Sequence, residues 1–186
     1  MHNALRIVLS ALILVLAACT PRIEPRAPTA AEPSELEVAQ RIFDQITALH
    51  VGGLPNDAQM QVLAPLLTAE LREALDAARA WQRSEIERMQ REGSDDKPPF
   101  IEGDLFSSLF EGAQTARAMR VKPDQDRVVV TLDRSYGQGT DQVRWQDRAV
   151  LKRVGKAWLL DDVEYGGSWA FQAGTSTLRN TLKARE

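Results

Sequence analysis

At Gly112 the spacing of apolar residues changes, and that change decides what this chain can fold into. Before it they recur every three or four residues, as in a helix that buries one face. After it they alternate, as in strands with one side buried. Ser34 and Glu37 form a capping box ahead of Val38, Ala39, Ile42, Phe43, Ile46 and Leu49, which predicts a first helix running to about Leu49. A breaker cluster over residues 51–57 ends it, and a short apolar segment, residues 60–67, follows with Pro65 inside. Thr68 reads as the N-cap of the longest helix, with Leu71, Leu75, Ala78, Trp81 or Gln82, Ile86 and Met89 on its inner side and an end near Gly93. A loop over residues 95–104 and a short apolar piece, residues 105–110, lead to Gly112. Residues 115–121, 127–136, 143–154 and 157–165 then read as strands whose short links make an antiparallel meander. A last helix is expected over residues 176–184, where Leu178 and Leu182 stand four apart. Helices first and hairpin-linked strands second predict one α+β domain over residues 34–186, its N-terminal helices packed on a curved, mostly antiparallel four-stranded sheet.

The segment Gly155-Lys156-Ala157-Trp158-Leu159-Leu160-Asp161-Asp162-Val163-Glu164-Tyr165 resembles the closing strands of nuclear-transport-factor-2-like (cystatin-like) domains. Taken with Pro99-Phe100, Gly103-Asp104-Leu105-Phe106, Trp145-Gln146-Asp147-Arg148 and the N-terminal pattern below, the chain resembles a family of bacterial envelope lipoproteins with a domain of unknown function. That resemblance runs over residues 36–182 in the order of elements and implies a fold and an address. Enzymes of the fold class use His-Asp or Tyr-Asp dyads, and His50 is the histidine left to fill such a place here.

Arg6, the apolar run 7–16 and Leu16-Ala17-Ala18-Cys19 resemble the signal peptide and lipobox of bacterial lipoproteins. The run is too short to span a bilayer. The resemblance implies removal of residues 1–18, a diacylglyceryl group on the Cys19 thiol and acylation of its new amine. Thr20 in place of Asp after Cys19 implies delivery to the outer membrane of a diderm cell, facing the periplasm. Each buried methylene adds about 0.8 kcal/mol, so membrane lipid is an expected partner through acylated Cys19. Residues 19–33, with Pro21, Pro25, Pro28 and Pro33, read as a tether that reaches about 40 Å at the polyproline rise. Loss of Arg6 takes the formal charge from -3 to -4, so no nucleic-acid partner is expected.

Cys19 is the chain's single cysteine, which excludes an intramolecular disulfide, a Cys nucleophile, a Cys-containing zinc site and a thiol redox pair. With His2 inside the signal, a His-rich metal site is excluded too, and no cofactor is expected. The remaining chemistry lies with carboxylates. Asp147 shares a strand face with Val143, Trp145, Ala149 and Leu151, so it must find donors, for which Arg134 and Tyr136 on the preceding strand are placed. On the last strand either Asp161 or Asp162 must also face inward. Two inward acids on neighbouring strands make either a general acid/base pair or an ion-pair network that fixes register. Asp95, Asp96, Glu102 and Asp104 offer hard oxygen ligands to a cation such as calcium, or a solvated loop in which Gly103-Asp104 caps a following helical turn. Trp169, beside Gly166-Gly167, is a pocket rim, an interface anchor or core; Tyr165, Tyr136 and Arg134 are further contacts for a ligand or partner. The leading expectation is a non-catalytic, lipid-anchored accessory or immunity-type inhibitor that binds an envelope protein. The alternatives are a ligand-binding or hydrolytic domain using paired Asp residues between sheet and helices, and a purely structural lipoprotein.

Overall fold

Ser34 Oγ accepts from the Glu37 amide at 3.4 Å while the Ser34 amide donates to Glu37 Oε2 at 2.7 Å, satisfying two N–H groups that a helix start leaves open. In the computed structural model, which describes residues 32–167 and 177–183, this helix, α1, spans Glu35–Leu49 and buries Val38, Ala39, Ile42, Phe43 and Ile46. It ends at His50 in a left-handed conformation (φ 47°). Three residues on, Gly53 (φ 71°) presses so close to the Phe100 carbonyl that a Cβ would overlap it. The Gly53 amide donates to Gly103 O at 2.6 Å and that of Leu54 to Phe100 O at 3.1 Å, pinning the loop at 100–104 to the end of α1.

The stretch after the breaker cluster, expected only as an apolar segment, forms a second helix, α2 (Asp57–Leu63). A second capping box starts it, Asn56 with Gln59, and Gln59 Nε2 also donates to Leu49 O, an open carbonyl at the end of α1. A 3-10 turn (Ala64–Leu66) carries Pro65 and leads to α3 (Ala69–Glu92). Thr68 caps α3 through its Oγ1, which accepts from the Leu71 amide at 3.2 Å. Leu71, Leu75 and Ala78 are buried, whereas Ile86 and Met89 are half-buried. The second half of α3 extends past the core and is covered by the loop that returns along it. Trp81 there meets Phe100 edge-on at 5.7 Å, and Gln82 Nε2 donates to Pro99 O at 2.7 Å.

The expected helical turn after Asp104 is absent. Residues 105–110 form an irregular loop in which Leu105, Phe106, Ser107, Ser108 and Leu109 are all buried. The strands are β1 (Thr115–Asp124), three residues longer than the alternation suggested, β2 (Arg127–Tyr136), β3 (Val143–Val154) and β4 (Ala157–Glu164). They pair antiparallel in the order β1-β2-β3-β4, an open sheet. A short helix, α4 (Leu178–Lys183), buries Leu178 and Leu182. The architecture is α+β. One face of the sheet, with Val128, Val130, Leu132, Ala149, Leu151, Leu160 and Val163, joins the apolar sides of α1–α3 and Phe106 in a single core.

Both sheet edges are guarded, which an open sheet requires if it is not to pair with other chains. Along β4, the Thr68 amide donates to Leu160 O at 2.9 Å, and Thr177 bridges Glu164. At β1 a side chain stands in for a strand: Gln40 Nε2 donates to Ala116 O and its Oε1 accepts from the Ala118 amide, both at 2.8 Å. A bulge at Met119 breaks the register directly after, and Lys122-Pro123 discourages pairing further along. Replacing Gln40 with Ala removes both bonds and is expected to lower unfolding free energy by about 1–3 kcal/mol, measured by urea denaturation, and to increase self-association in light scattering.

Candidate functional site

Alternation along β3 turns Asp147 into the core beside Trp145, and its side chain is fully buried. Its Oδ1 accepts from Ser108 Oγ at 2.6 Å and the Gly166 amide at 3.1 Å; its Oδ2 accepts from the Ser108 amide at 3.2 Å and Trp145 Nε1 at 3.0 Å. Gly166 reaches this position because it has no side chain, since a Cβ would overlap Gln146 O. A carboxylate offers about four lone-pair sites, and all are occupied. Arg134 supplies the counter-charge, its Nε 3.2 Å from Oδ2. That nitrogen is out of line for a hydrogen bond, so the contact is ionic. Arg134 is 2% exposed, donates from Nη2 to Phe106 O at 2.7 Å, and lays its guanidinium 4.6 Å over the Phe43 ring. Burial pushes its pKa below the usual arginine value, against the pull of Asp147 and Asp104. Anticipated both as a partner of Asp147 and as a contact for a ligand or partner, Arg134 stands beside Asp147 and is enclosed by the core.

Asp104 is the second acid of this cluster. Its Oδ1 accepts from the Phe106 amide at 2.7 Å, and its own amide donates to Phe110 O at 2.9 Å, so it closes the 104–110 loop rather than starting a helix. Burial raises its carboxyl to about 6, with Arg134 and the Phe106 amide opposing and Asp147 adding to the rise. Unlike Asp147, it also borders a cleft of about 580 Å³, formed where the end of α1 meets the loop after Asp104 and the end of β2. Ile46, His50, Phe110, Glu111 and Tyr136 contribute to its walls. Phe110 and Ile101 are 39% and 50% exposed.

Asp161 and Asp162 belong elsewhere. A bulge pairs Val150 with Asp162 and Leu151 with Leu160, leaving Asp161 as the extra residue. Both Leu160 and Val163 can then face the core, and the choice between the two acids dissolves. Asp161 is 4% exposed; its Oδ1 accepts from Thr68 Oγ1 at 2.9 Å, and Arg179 Nη1 lies 3.2 and 3.3 Å from its two oxygens. Asp162 accepts from the Val163 and Arg179 amides, and burial raises its pKa. Asp147 shares no hydrogen-bond partner with either among the described residues. They are two separate anchors, one for the 105–109 loop and one for the α3–α4 contact.

Of the loop acids, Glu102 pairs with Lys97 at 2.8 Å and Asp96 accepts from Ser94 Oγ at 2.7 Å, while Asp95 is exposed and Asp104 turns inward. Among the described residues no three His, Cys, Asp or Glu side chains gather where they could hold a metal ion. Tyr165 donates to Leu105 O at 2.7 Å, and burial pushes its phenol well above the ordinary tyrosine value. Tyr136 lines the cleft. Cys19 and Trp169 lie outside the described residues. Sequence reasoning did not find Ser108, Arg179 or the cleft-forming place of His50. The visible trace of Ser108 was two hydroxyls, Ser107-Ser108, inside an apolar run. Compared with family models, curated proteins and solved structures, the chain finds no match in any of the three.

Two stability measurements test this geometry. Asp147→Asn takes from the buried Arg134 charge the nearer of its two carboxylates, leaving the more distant Asp104, and is expected to cost about 3–5 kcal/mol in urea unfolding at neutral pH. The double variant with Arg134→Met should cost less than the sum of the singles. For Asp104 the sign is opposite to the usual carboxylate. Its folded-state pKa lies above its unfolded value, so it favours the fold when protonated, and stability falls by about 3 kcal/mol as pH rises from about 4 to about 6. Asp104→Asn should flatten this fall. Reading the difference between variant and native chain cancels Glu37 and Glu70, whose lowered pKa values act in the other direction.

Proposed function

We propose that this chain is an envelope lipoprotein, acylated at Cys19 and held at the periplasmic face of the outer membrane, whose domain binds a protein partner without catalysing a reaction. Its role is that of an accessory subunit or an immunity-type inhibitor, and its fold belongs to the nuclear-transport-factor-2-like class. The observation that carries the reading is the state of the inward carboxylates. Asp147 has every lone-pair site filled, and Asp161 is bound by Thr68 and Arg179, so neither of these two acids stands free to move a proton. Beside that filled interior, Phe110 presents apolar surface at the cleft and Ile101, two residues before Gly103 of the cleft wall, presents more, the kind of feature partner proteins cover. No helix among the described residues is long and apolar enough to cross a membrane, so attachment on this reading falls to the acyl chains.

The cleft supports a second reading, a small-ligand site in which Asp104 supplies a carboxyl whose pKa burial raises to about 6.

Photo-crosslinking in intact cells tests the first reading. A crosslinking residue at Ile101 or Phe110 should capture one and the same envelope protein, and one at Val62, exposed on α2, should not. With that protein purified, Phe110→Asp should weaken binding about thirtyfold, the effect of losing an aromatic anchor worth about 2 kcal/mol. Equal capture from all three positions sinks the reading. Incorporation of labelled palmitate that survives Cys19→Ser would remove the anchor.

A further inference from the structure

The charges of the domain are segregated. Residues 32–112 carry 16 Asp and Glu against 7 Lys and Arg, whereas residues 113–183 carry 12 Lys and Arg against 8 Asp and Glu. Strand pairing gathers much of the basic excess on the sheet face turned away from the helices. Arg117, Arg120 and Lys122 on β1 stand opposite Asp133, Thr131 and Val129 on β2, and Arg144 on β3 stands opposite Ser135. Nearer β4 the cations are matched, Arg148 to Glu164 at 2.6 Å and Lys152 to Glu70 at 2.9 Å. On the β1 side they are not. Arg117, Arg120, Lys122 and Arg144 are exposed and have no ion-pair partner among the described residues, and the acids beside them are engaged elsewhere, Asp133 accepting from Gln146 at 2.6 Å and Asp124 pairing with Arg127 at 3.2 Å. Met119, set out of register by the β1 bulge, is 44% exposed between two of these arginines.

From this pattern we infer that the β1 side of the outer sheet face docks on an anionic phospholipid bilayer, with Arg117, Arg120, Lys122 and Arg144 on headgroup phosphates and Met119 at headgroup level. Two features favour a bilayer over an acidic protein, and a third sets the orientation. Arg117, Arg120 and Lys122 span about 17 Å along β1, and Arg144 stands about 10 Å across the sheet on β3, two strand spacings away, which makes a plane of charge. None of them lines the cleft, so the face offers charge without a socket. The acidic helical part of the domain is repelled by the same surface, so one orientation is selected, sheet toward lipid and helices away. Each cation held near an anionic membrane strengthens association roughly fivefold, and four favour the docked state several hundredfold at low salt. This docking goes beyond the partner-binding reading and needs neither Cys19 nor the cleft.

The test uses the full chain with Cys19→Ser, so that a single introduced cysteine carries an environment-sensitive fluorophore at Met119→Cys or, for comparison, at Ile101→Cys. The chain is added to vesicles of phosphatidylcholine alone or mixed with phosphatidylglycerol, each doped with a headgroup-attached quencher. Any insertion of the apolar N-terminal run is common to both vesicles, so the difference reports the face. Quenching at 119 should be several-fold greater with phosphatidylglycerol, and that at 101 should not change. The gain should vanish near 1 M salt, where the screening length shrinks to about 3 Å, and in R117E/R120E/K122E. The neutral R117Q/R120Q/K122Q chain serves if the reversed one does not fold, judged by circular dichroism. Equal quenching at 119 in both vesicles, or a gain that survives the substitutions, overturns the proposal. So does shielding of 119 by soluble polyglutamate with none by phosphatidylglycerol vesicles, which would assign the face to an acidic polypeptide.

Discussion

The Asp147 carboxylate gathers pieces of chain that have little else to hold them. Ser108 is 39 residues away in sequence and Gly166 is 19 away, and neither lies in a helix or a strand. An ionised carboxylate inside an apolar core costs several kcal/mol in lost hydration, and a single arginine rarely makes that good. Here four hydrogen-bond donors and one guanidinium share the task, and two of the donors are backbone amides of irregular segments. The charge is satisfied only if those segments sit where they do. A loop without regular hydrogen bonding thereby gains the positional definition that a helix gets from its own backbone, and Phe106, fully buried, is seated in the core as a result.

Arg134 is the scarce component of that arrangement. One guanidinium faces two carboxylates, and it is committed in three directions: to Asp147 through Nε, to Phe106 O through Nη2, and to the Phe43 ring by its face. Asp147 has the better claim because amide, hydroxyl and indole donors hold it close. Asp104 is left with backbone support and a more distant cation, which is why burial wins there and its carboxyl titrates near 6. Two acids that face one guanidinium thus come to different surroundings, one saturated with donors inside the core and the other at the cleft edge.

What the sequence made legible is what local pattern controls. β2 and β3 begin and end where the alternation begins and ends, and Ser34 and Thr68 cap the helices their side chains announced. The inward turn of Asp147 followed from the same alternation, and so did its need for donors. α2 escaped because seven residues with two buried positions carry little periodicity; its mark was the Asn56-Gln59 box. The bulge at Asp161 escaped because a bulge is one extra residue that strict alternation forbids. Along α3 the period continues past Ala78, but the core does not, so Ile86 and Met89 show how a pattern can outrun the surface it packs on. Ser108 and Arg179 were beyond reach for another reason: each meets its acid through the tertiary fold, and no local spacing encodes a contact made by a loop or a C-terminal helix.

For a domain read as a binder, the saturated interior bears directly on affinity. Association is weakened by every loop that must be ordered at the moment of contact, and a surface already held in place avoids that loss. Ile101 follows Phe100, whose carbonyl is clamped by Leu54, and Phe110 closes onto Asp104. Both exposed apolar residues are therefore tied within one residue of a backbone hydrogen bond, one to the end of α1 and the other to the loop that Asp147 anchors. The same division of labour keeps the two charged sides apart. The end of α1, the loop after Asp104 and the end of β2 carry the cleft, while the cations of β1 stand on a face whose register β2 and β3 hold through ten consecutive pairs. A partner meeting the rim and a lipid surface meeting the sheet would not compete for the same residues.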